Sequence, residues 1–187
     1  MPIQVAGRRR SAHTLSRDFP RALIIDVTSR AADPWVRLSP FYPHGGIPVP
    51  RSPGVTSQSV EGIWQALKVF ESADVDPSRL ANTRMTGLKR TVRKYGPVLG
   101  HRDGLEGEHL LPYETARRLI YLPAYRWVLE HHTADLVERL RDLSVRQDVV
   151  LLDYTTNGDV TDPSSPLSHA ALVRLHLQDR WPDERPP

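Results

Sequence analysis

The sequence predicts an α+β fold, mostly helical with a small sheet, in a single compact domain. Two short apolar runs rich in β-branched residues, 22–28 and 148–154, indicate buried strands. The longest helical pattern, 114–143, lies between them. No internal repeat, heptad pattern or glycine-rich phosphate loop accompanies these elements, which argues against a repeat protein and against a doubly wound nucleotide-binding sheet.

The two ends of the chain are expected to lie outside the folded domain. Residues 1–20 are polar and contain the run Arg8-Arg9-Arg10, so they predict a flexible basic N-terminal tail. The domain is expected to cover residues 21–178, and residues 179–187 are expected to form a flexible C-terminal tail.

The first half of the domain should contain extended segments followed by short helices. Between residues 33 and 53, prolines and glycines are too frequent for a helix. Ser59 is a suitable N-cap for a helix ending by about Glu71, whose apolar stripe comprises Val60, Ile63, Trp64 and Leu67. A second helix is expected from Asp76-Pro77, where an N-cap residue precedes a proline.

The second half is dominated by the long helical pattern. Its apolar face turns toward the core, and Pro123 is expected to kink or break the helix. Residues 155–165 are rich in Asp, Thr, Ser and Pro and predict a loop, and a final helix is expected over about 166–177.

Composition excludes several classes of protein. With 39% hydrophobic and 25% charged residues, the 187-residue chain resembles neither a disordered nor a membrane protein. No segment approaches the roughly 20 apolar residues of a spanning helix, and no signal peptide is recognisable, so we expect a cytoplasmic protein without a membrane partner. The absence of cysteine excludes disulfides, thiolate ligands and a cysteine nucleophile. His131 and His132 diverge on a helix and have no third ligand spaced for them, so no metal site is predicted.

Basic residues exceed acidic ones, with a net charge of +3 and a pI near 9.4. The 25 cations include only three lysines, a bias that a GC-rich genome produces without selection for phosphate binding. Local clustering is more informative, because no acidic residue interrupts the segment that carries Arg84, Lys89, Arg90, Arg93 and Lys94. On a helix, the last four would form one cationic face for a substrate phosphate or a nucleic-acid backbone. A simple solvated basic face is the alternative.

Glu61, Gln65 and Lys68 follow one another at helical spacing beside the apolar stripe of the first predicted helix. Glu61 would lie near the positive end of the helix dipole. A carboxylate at the edge of a buried face, with an aromatic ring and a cation nearby, is a group whose pKa can be adapted to proton transfer. The alternative is an amphipathic helix whose polar edge is solvated.

The segment Ser39-Pro40-Phe41-Tyr42-Pro43, followed after a short variable stretch by Ser59-Val60-Glu61 with Gln65 and Lys68, resembles the NADAR family, also called YbiA-like proteins. The resemblance is carried mainly by residues 38–70. It implies a YbiA-like fold in which an aromatic strand and the glutamate-bearing helix form a pocket. It also implies an N-glycosidase that hydrolyses the ribosyl C–N bond of an ADP-ribosyl or phosphoribosyl N-glycoside. The substrate would be a small nucleotide or an ADP-ribosylated nucleic acid, and no metal or redox cofactor is needed.

The resemblance assigns roles to individual residues. Glu61 matches the catalytic glutamate, which would stabilise an oxocarbenium-like ribose and position or deprotonate the attacking water. A second acid, Asp153 or Asp159, would orient the ribose hydroxyls or protonate the departing base. The substrate-binding residues are then Phe41, Tyr42 and Trp64 around the flat leaving group, Lys68 and Arg102 at phosphate, and Gln65 and His101.

Two other classes of function remain open. The family's Trp-Gly element is absent from Asn157-Gly158-Asp159-Val160, which favours a module that binds NAD or ADP-ribose without turnover. The cluster at 84–94, together with Arg8-Arg9-Arg10, favours a nucleic-acid-binding protein whose affinity falls steeply with salt.

Overall fold

The computed structural model describes residues 3–186. Its eight strands are β1 Ile3–Gly7, β2 Leu23–Asp26, β3 Ile47–Pro48, β4 Thr56–Ser57, β5 Lys68–Phe70, β6 Val98–Arg102, β7 Leu110–Leu111 and β8 Val149–Asp153. The seven α-helices in the same range are α1 Ala12–Asp18, α2 Val60–Leu67, α3 Val92–Tyr95, α4 Tyr113–Ala116, α5 Leu122–His131, α6 Ala134–Arg146 and α7 His169–Leu177. The predicted α+β class, mostly helical with small sheets, is confirmed.

The chain divides into two compact units. Unit 1 comprises Met1–Ser39 and Leu129–Pro182, and unit 2 comprises Pro40–Val128 and Asp183–Pro187.

Unit 1 is built on a parallel three-stranded sheet in the order β1-β8-β2. All five residues of the central strand β8 are buried, which is typical of a parallel strand covered on both faces. Its neighbours are in register with it, since Ile3 and Leu23 both pair with Val149. The two strands predicted from their apolar runs are therefore adjacent in the sheet.

The N-terminal segment is part of the fold, which corrects the expected tail. Residues 3–7 form β1, and the apolar side chains of Ile3 and Ala6 are buried. Ser11 caps α1 by accepting from the Thr14 N–H, and Leu15 of that helix enters the core. The basic composition misled the prediction because Arg8 and Arg10 form ion pairs with Asp26 and Asp18, while a few apolar residues supply the burial.

The C-terminal residues also have partners. Arg118 donates to the carbonyl of Asp183 at 2.6 Å, and Arg126 pairs with Glu184 at 2.9 Å, all within unit 2. These contacts differ from the flexible tail expected over residues 179–187.

Unit 2 places α2 beside an antiparallel sheet in the order β5-β6-β7. Ser59 accepts from the Gly62 N–H at 3.0 Å, so the predicted N-cap is confirmed. The helix ends at Leu67, earlier than the expected Glu71, because the next three residues leave the helix to pair with β6. A side chain at Gly100 of β6 would meet the Leu111 carbonyl oxygen at 2.8 Å, so glycine allows β6 and β7 to approach closely.

Helical structure departs from the prediction in two further places. A π-helical turn, Arg117–Tyr121, joins α4 to α5 ahead of Pro123, and the helical run continues through the proline without a break. The break comes instead between His131 and Ala134. The helix expected from Asp76-Pro77 is a single 3-10 turn, Pro77–Arg79, capped by Asp76.

Within residues 3–186, no helix combines the length and the apolar character needed to cross a bilayer.

Candidate functional site

The first turn of α2 holds Glu61 in a buried position in unit 2. The Glu61 backbone N–H donates to the Pro40 carbonyl at 2.8 Å, which brings the segment before Phe41 to the start of the helix. The Glu61 residue is 8% exposed. Its Oε1 accepts from Gln65 Nε2 at 2.9 Å, one helical turn later.

The orientation of Gln65 is determined by a backbone group. Gln65 Oε1 accepts from the Arg90 N–H at 2.9 Å. Because a backbone N–H can only donate, the amide NH₂ of Gln65 must face the other way, toward Glu61. The side chain of Gln65 therefore serves as a fixed donor to the carboxylate.

Two lysines influence Glu61. Burial raises the pKa of Glu61, while the Gln65 hydrogen bond and the charges of Lys68 and Lys89 act in the opposite direction. Burial likewise lowers the pKa of Lys68, against the attraction of Glu61. Within residues 3–186, the Lys68 ammonium makes no hydrogen bond or ion pair; it lies 5.9 Å from the centroid of the Trp64 ring.

His101 stacks on Trp64. The ring centroids are 3.8 Å apart at an interplanar angle of 33°. His101 is 0% exposed, and neither ring nitrogen has a hydrogen-bond partner among the described residues. Burial, with the Lys68 charge adding to it, lowers the pKa of His101 to about 3, so the ring is neutral at ordinary pH.

Phe41 and Tyr42 are half-buried. Lys89 Nζ lies 5.5 Å from the Phe41 ring, and the Tyr42 ring lies 4.7 Å from the ring of His44. Lys89 thus lies over the Phe41 ring, and its positive charge acts to lower the pKa of Glu61.

Arg102 does not belong to this site. Successive residues of a strand face opposite sides of a sheet, so Arg102 points away from the side occupied by His101. Its guanidinium forms a bidentate pair with Asp74, at 3.0 and 2.8 Å, and also donates to the Glu108 carbonyl. The predicted phosphate contact of Arg102 is corrected to a structural ion pair.

The basic cluster does not form the expected helical face. Residues 80–91 contain no α-helix, and only Val92–Tyr95 is helical. Arg90 is 6% exposed, and its guanidinium donates to the carbonyls of Gln65 and Asp74. Arg90 is therefore a structural residue, while Arg84, Lys89, Arg93 and Lys94 are exposed.

Asp153 has a different environment from the one its predicted role requires. Its carboxylate accepts from Ser168 Oγ at 2.8 Å and from His169 Nδ1 at 2.9 Å within unit 1. His169 Nε2 lies 2.8 Å from the Val27 carbonyl oxygen, so both ring nitrogens face acceptors. Although burial opposes the charged forms, this pairing lowers the pKa of Asp153 and raises that of His169. The carboxylate is thus used in a buried ion pair, and its catalytic role is not supported.

Asp159, the other predicted acid, is exposed in a turn. It accepts from the backbone N–H of Thr161 at 2.8 Å and from the Thr161 hydroxyl at 2.7 Å. These bonds are typical of an aspartate that stabilises a turn.

Three residues around Trp64 were missed from the sequence. Tyr113 and Tyr121 approach the indole edge-on, with centroids at 5.8 and 5.7 Å. Arg117 lies between them in the chain, buried, with its guanidinium carbon 4.4 Å from the Tyr113 centroid. Their spacing of four residues was a detectable signal, because it places all three on one side of a helix.

The described residues 3–186 contain no group of three His, Cys, Asp or Glu side chains arranged to hold a metal ion.

Comparison with known proteins adds one relationship. A family model described as a family of unknown function, DUF6939, matches residues 7–173. No curated protein matches the chain. The match covers most of the 187 residues, and the chain therefore belongs to the DUF6939 family.

Proposed function

We propose that the protein is a cytoplasmic N-glycosidase that hydrolyses the ribosyl C–N bond of an ADP-ribosyl or phosphoribosyl N-glycoside. The observation that carries the proposal is the environment of Glu61. The carboxylate is buried, Gln65 orients one of its oxygens, and the other accepts no hydrogen bond from residues 3–186. The NADAR-like order of residues 38–70 supports the same reading of this glutamate.

Glu61 suits the charge that develops during cleavage. As the C–N bond lengthens, the electron pair moves to the base nitrogen and the ribose becomes oxocarbenium-like. A carboxylate near the anomeric carbon stabilises that state more than the ground state. The oxygen of a water molecule then bonds to the anomeric carbon, and its proton passes to Glu61 and on to the departing base. Burial raises the pKa of Glu61, which favours its taking up that proton.

The surroundings of Glu61 support a nucleotide substrate. Lys68 and Lys89 both act on the carboxylate electrostatically, and the Lys68 ammonium has no hydrogen bond within the described chain. Two cations near one carboxylate suit a substrate that carries phosphate beside its ribose. Phe41 is half-buried and provides aromatic surface for a flat leaving group. Trp64, also predicted from the sequence to contact that group, is only 8% exposed and packs against His101, Tyr113 and Tyr121 instead.

Detection of the released base or ribosyl product by mass spectrometry tests the proposal. Wild type, Glu61→Gln and Glu106→Gln would be incubated with phosphorylated riboflavin intermediates, NAD, ADP-ribosylated guanosine and ADP-ribosylated DNA. We expect release by wild type and by Glu106→Gln, whose altered residue is exposed, and a loss of about 10²-fold or more in Glu61→Gln. A folded Glu61→Gln variant with full activity would exclude the assigned role.

A binding module without turnover is the second candidate. The unused hydrogen-bonding capacity of Glu61 and Lys68 suits a bound nucleotide as well as a reacting one. Calorimetry with ADP-ribose, combined with the product assay, distinguishes the two candidates. Tight binding of ADP-ribose, together with no product from any tested substrate over hours, would favour the binding module.

A further inference from the structure

The His101 ring is the most unusual polar group in unit 2. It is fully buried, yet both Nδ1 and Nε2 lack a partner within residues 3–186. Buried polar atoms are nearly always hydrogen-bonded, and leaving one unpaired is costly. Packing explains the position of the ring on Trp64 but leaves the nitrogens unexplained.

Lys68 is the residue opposite His101 in the neighbouring strand. It pairs with His101 across β5 and β6, and its charge acts on the His101 ring. The two side chains share a contact with Trp64, the ammonium at 5.9 Å and the imidazole at 3.8 Å. They form no direct hydrogen bond, and the Lys68 ammonium has no other hydrogen-bond partner in the described chain.

The missing partner must satisfy a particular combination of groups. A neutral imidazole offers one donor and one acceptor, and an ammonium offers only donors. A phosphate or carbonyl oxygen can accept from both residues but cannot donate to the imidazole lone pair. A hydroxyl can accept from Lys68 and donate to His101 at the same time.

We propose that a hydroxyl group binds between His101 and Lys68. This inference rests on the proposed N-glycosidase function, for which the hydroxyl has two possible sources: a ribose hydroxyl of the substrate, or an ordered water molecule that attacks the anomeric carbon. In either case His101 is a positioning residue that accepts a hydrogen bond from the hydroxyl group, without taking its proton, and so fixes the direction of the oxygen. In the second case, the water oxygen bonds to carbon, the C–N electron pair goes to the base, and Glu61 receives the proton.

The first experiment is NMR of protein with nitrogen-15-labelled histidine. His101→Phe assigns the His101 signals by their loss. His109→Phe is the matched control, because His109 is exposed on the loop between β6 and β7. Cross-relaxation between water and the His101 ring protons is measured in the free protein, and the ring nitrogens are then followed during titration with ribose 5-phosphate. This readout does not require any catalytic activity.

The second experiment compares product release from a ribosyl substrate and its 2′-deoxy and 3′-deoxy analogues. A ribose hydroxyl as the source predicts shifts of the His101 nitrogens with ribose 5-phosphate. It also predicts that wild type prefers the ribosyl substrate over at least one analogue by roughly 10- to 100-fold, a preference that His101→Phe loses. A water molecule as the source predicts cross-relaxation with the His101 ring protons in the free protein. It also predicts that His101→Phe lowers kcat by a similar factor on the ribosyl substrate and on both deoxy analogues. His101→Gln, which keeps a donor and an acceptor, should recover part of either effect.

The inference is overturned if the His101 ring contacts no water, does not respond to ribose 5-phosphate, and can be replaced by phenylalanine with a gain in Tm. If wild type releases no product from any substrate, the N-glycosidase proposal fails, while the NMR measurements still decide whether a hydroxyl binds at His101. If His101→Phe does not fold, His101→Gln supplies the assignment and the kinetic comparison.

Discussion

Glu61 and His101 show how burial changes the chemistry of single side chains. Both lie in unit 2, and burial disfavours the charged form of each, so it raises the pKa of the acid and lowers that of the base. The sequence identified Glu61 from its helical spacing and N-cap. It did not reveal that Gln65 is oriented by the Arg90 backbone, because that contact joins residues 25 positions apart.

The difference in stability between Glu61→Gln and wild type should depend on pH in a defined direction. The folded protein holds the Glu61 proton more tightly than the unfolded chain, whose pKa is near the ordinary 4.5. Well below pH 4.5, Glu61 is protonated in both the folded and the unfolded wild-type protein. As the pH rises above 4.5, the free energy of unfolding of wild type falls, and it stops falling once the pH passes the pKa of Glu61 in the folded protein. We therefore expect Glu61→Gln to have a higher Tm than wild type at pH 8, with the difference shrinking toward pH 4.

Thermal unfolding followed by circular dichroism between pH 4 and 8 measures this difference. Glu106→Gln is the control, since it makes the same change at an exposed position and should follow the wild-type curve. A Tm of Glu61→Gln below that of wild type at pH 8 would mean that the carboxylate gains more from its neighbours than burial costs.

At the scale of secondary-structure elements, strand alternation determines which residues reach the site. In β6, His101 contacts Trp64, whereas Arg102 faces the other side and pairs with Asp74. A shift of one residue along β6 therefore changes which side of the sheet a side chain occupies, and with it the chemistry expected at the site. The strand β5 was also missed, because Lys68-Val69-Phe70 continues the helical pattern of α2 and becomes a strand only through pairing with β6.

Arg90 and Arg93 are neighbours in the chain with opposite structural roles. Arg90 connects the end of α2 to residue 74 through backbone carbonyls, and its guanidinium lies 4.9 Å from the Phe70 ring. Arg93 is exposed on α3. We expect Arg90→Ala to lower the free energy of unfolding by about 3 kcal/mol, because several buried carbonyls lose their donor.

Arg93→Ala is the matched control and should change the free energy of unfolding by no more than about 0.5 kcal/mol. Urea titrations of both variants measure the effect. Equal stabilities of the two variants would contradict the structural role assigned to Arg90.

At the scale of the whole molecule, net charge alone does not define a nucleic-acid surface. The charge of +3 is distributed over many arginines, and several of them are in ion pairs. In the basic cluster, four cations remain exposed but do not share one helical face. Non-specific attraction to phosphate is then expected to reflect total charge more than this cluster.

Binding of DNA as a function of salt tests that expectation. We expect a variant with glutamine at Arg84, Lys89, Arg93 and Lys94 to lose no more affinity than a control with glutamine at the exposed Arg9, Arg17, Arg141 and Arg146, which has the same net charge. If the cluster alone binds, its four cations limit the change in slope of log K against log salt to about 3.6. A decrease of about 3.6 in this slope for the cluster variant, but not for the control, would support the nucleic-acid alternative.

The sequence by itself determined the features that depend on neighbouring residues. These are the α+β class, the apolar strands β2 and β8, the Ser59 cap and the buried stripe that carries Glu61, because local spacing and capping chemistry are sufficient to specify them. Only the tertiary structure decided the rest. It made residues 3–7 a strand, buried Arg90, paired Asp153 with His169, turned Arg102 away and placed His101 on Trp64. Each of these outcomes depends on a partner distant in the chain, and the pattern of nearby residues does not indicate which residue that partner is.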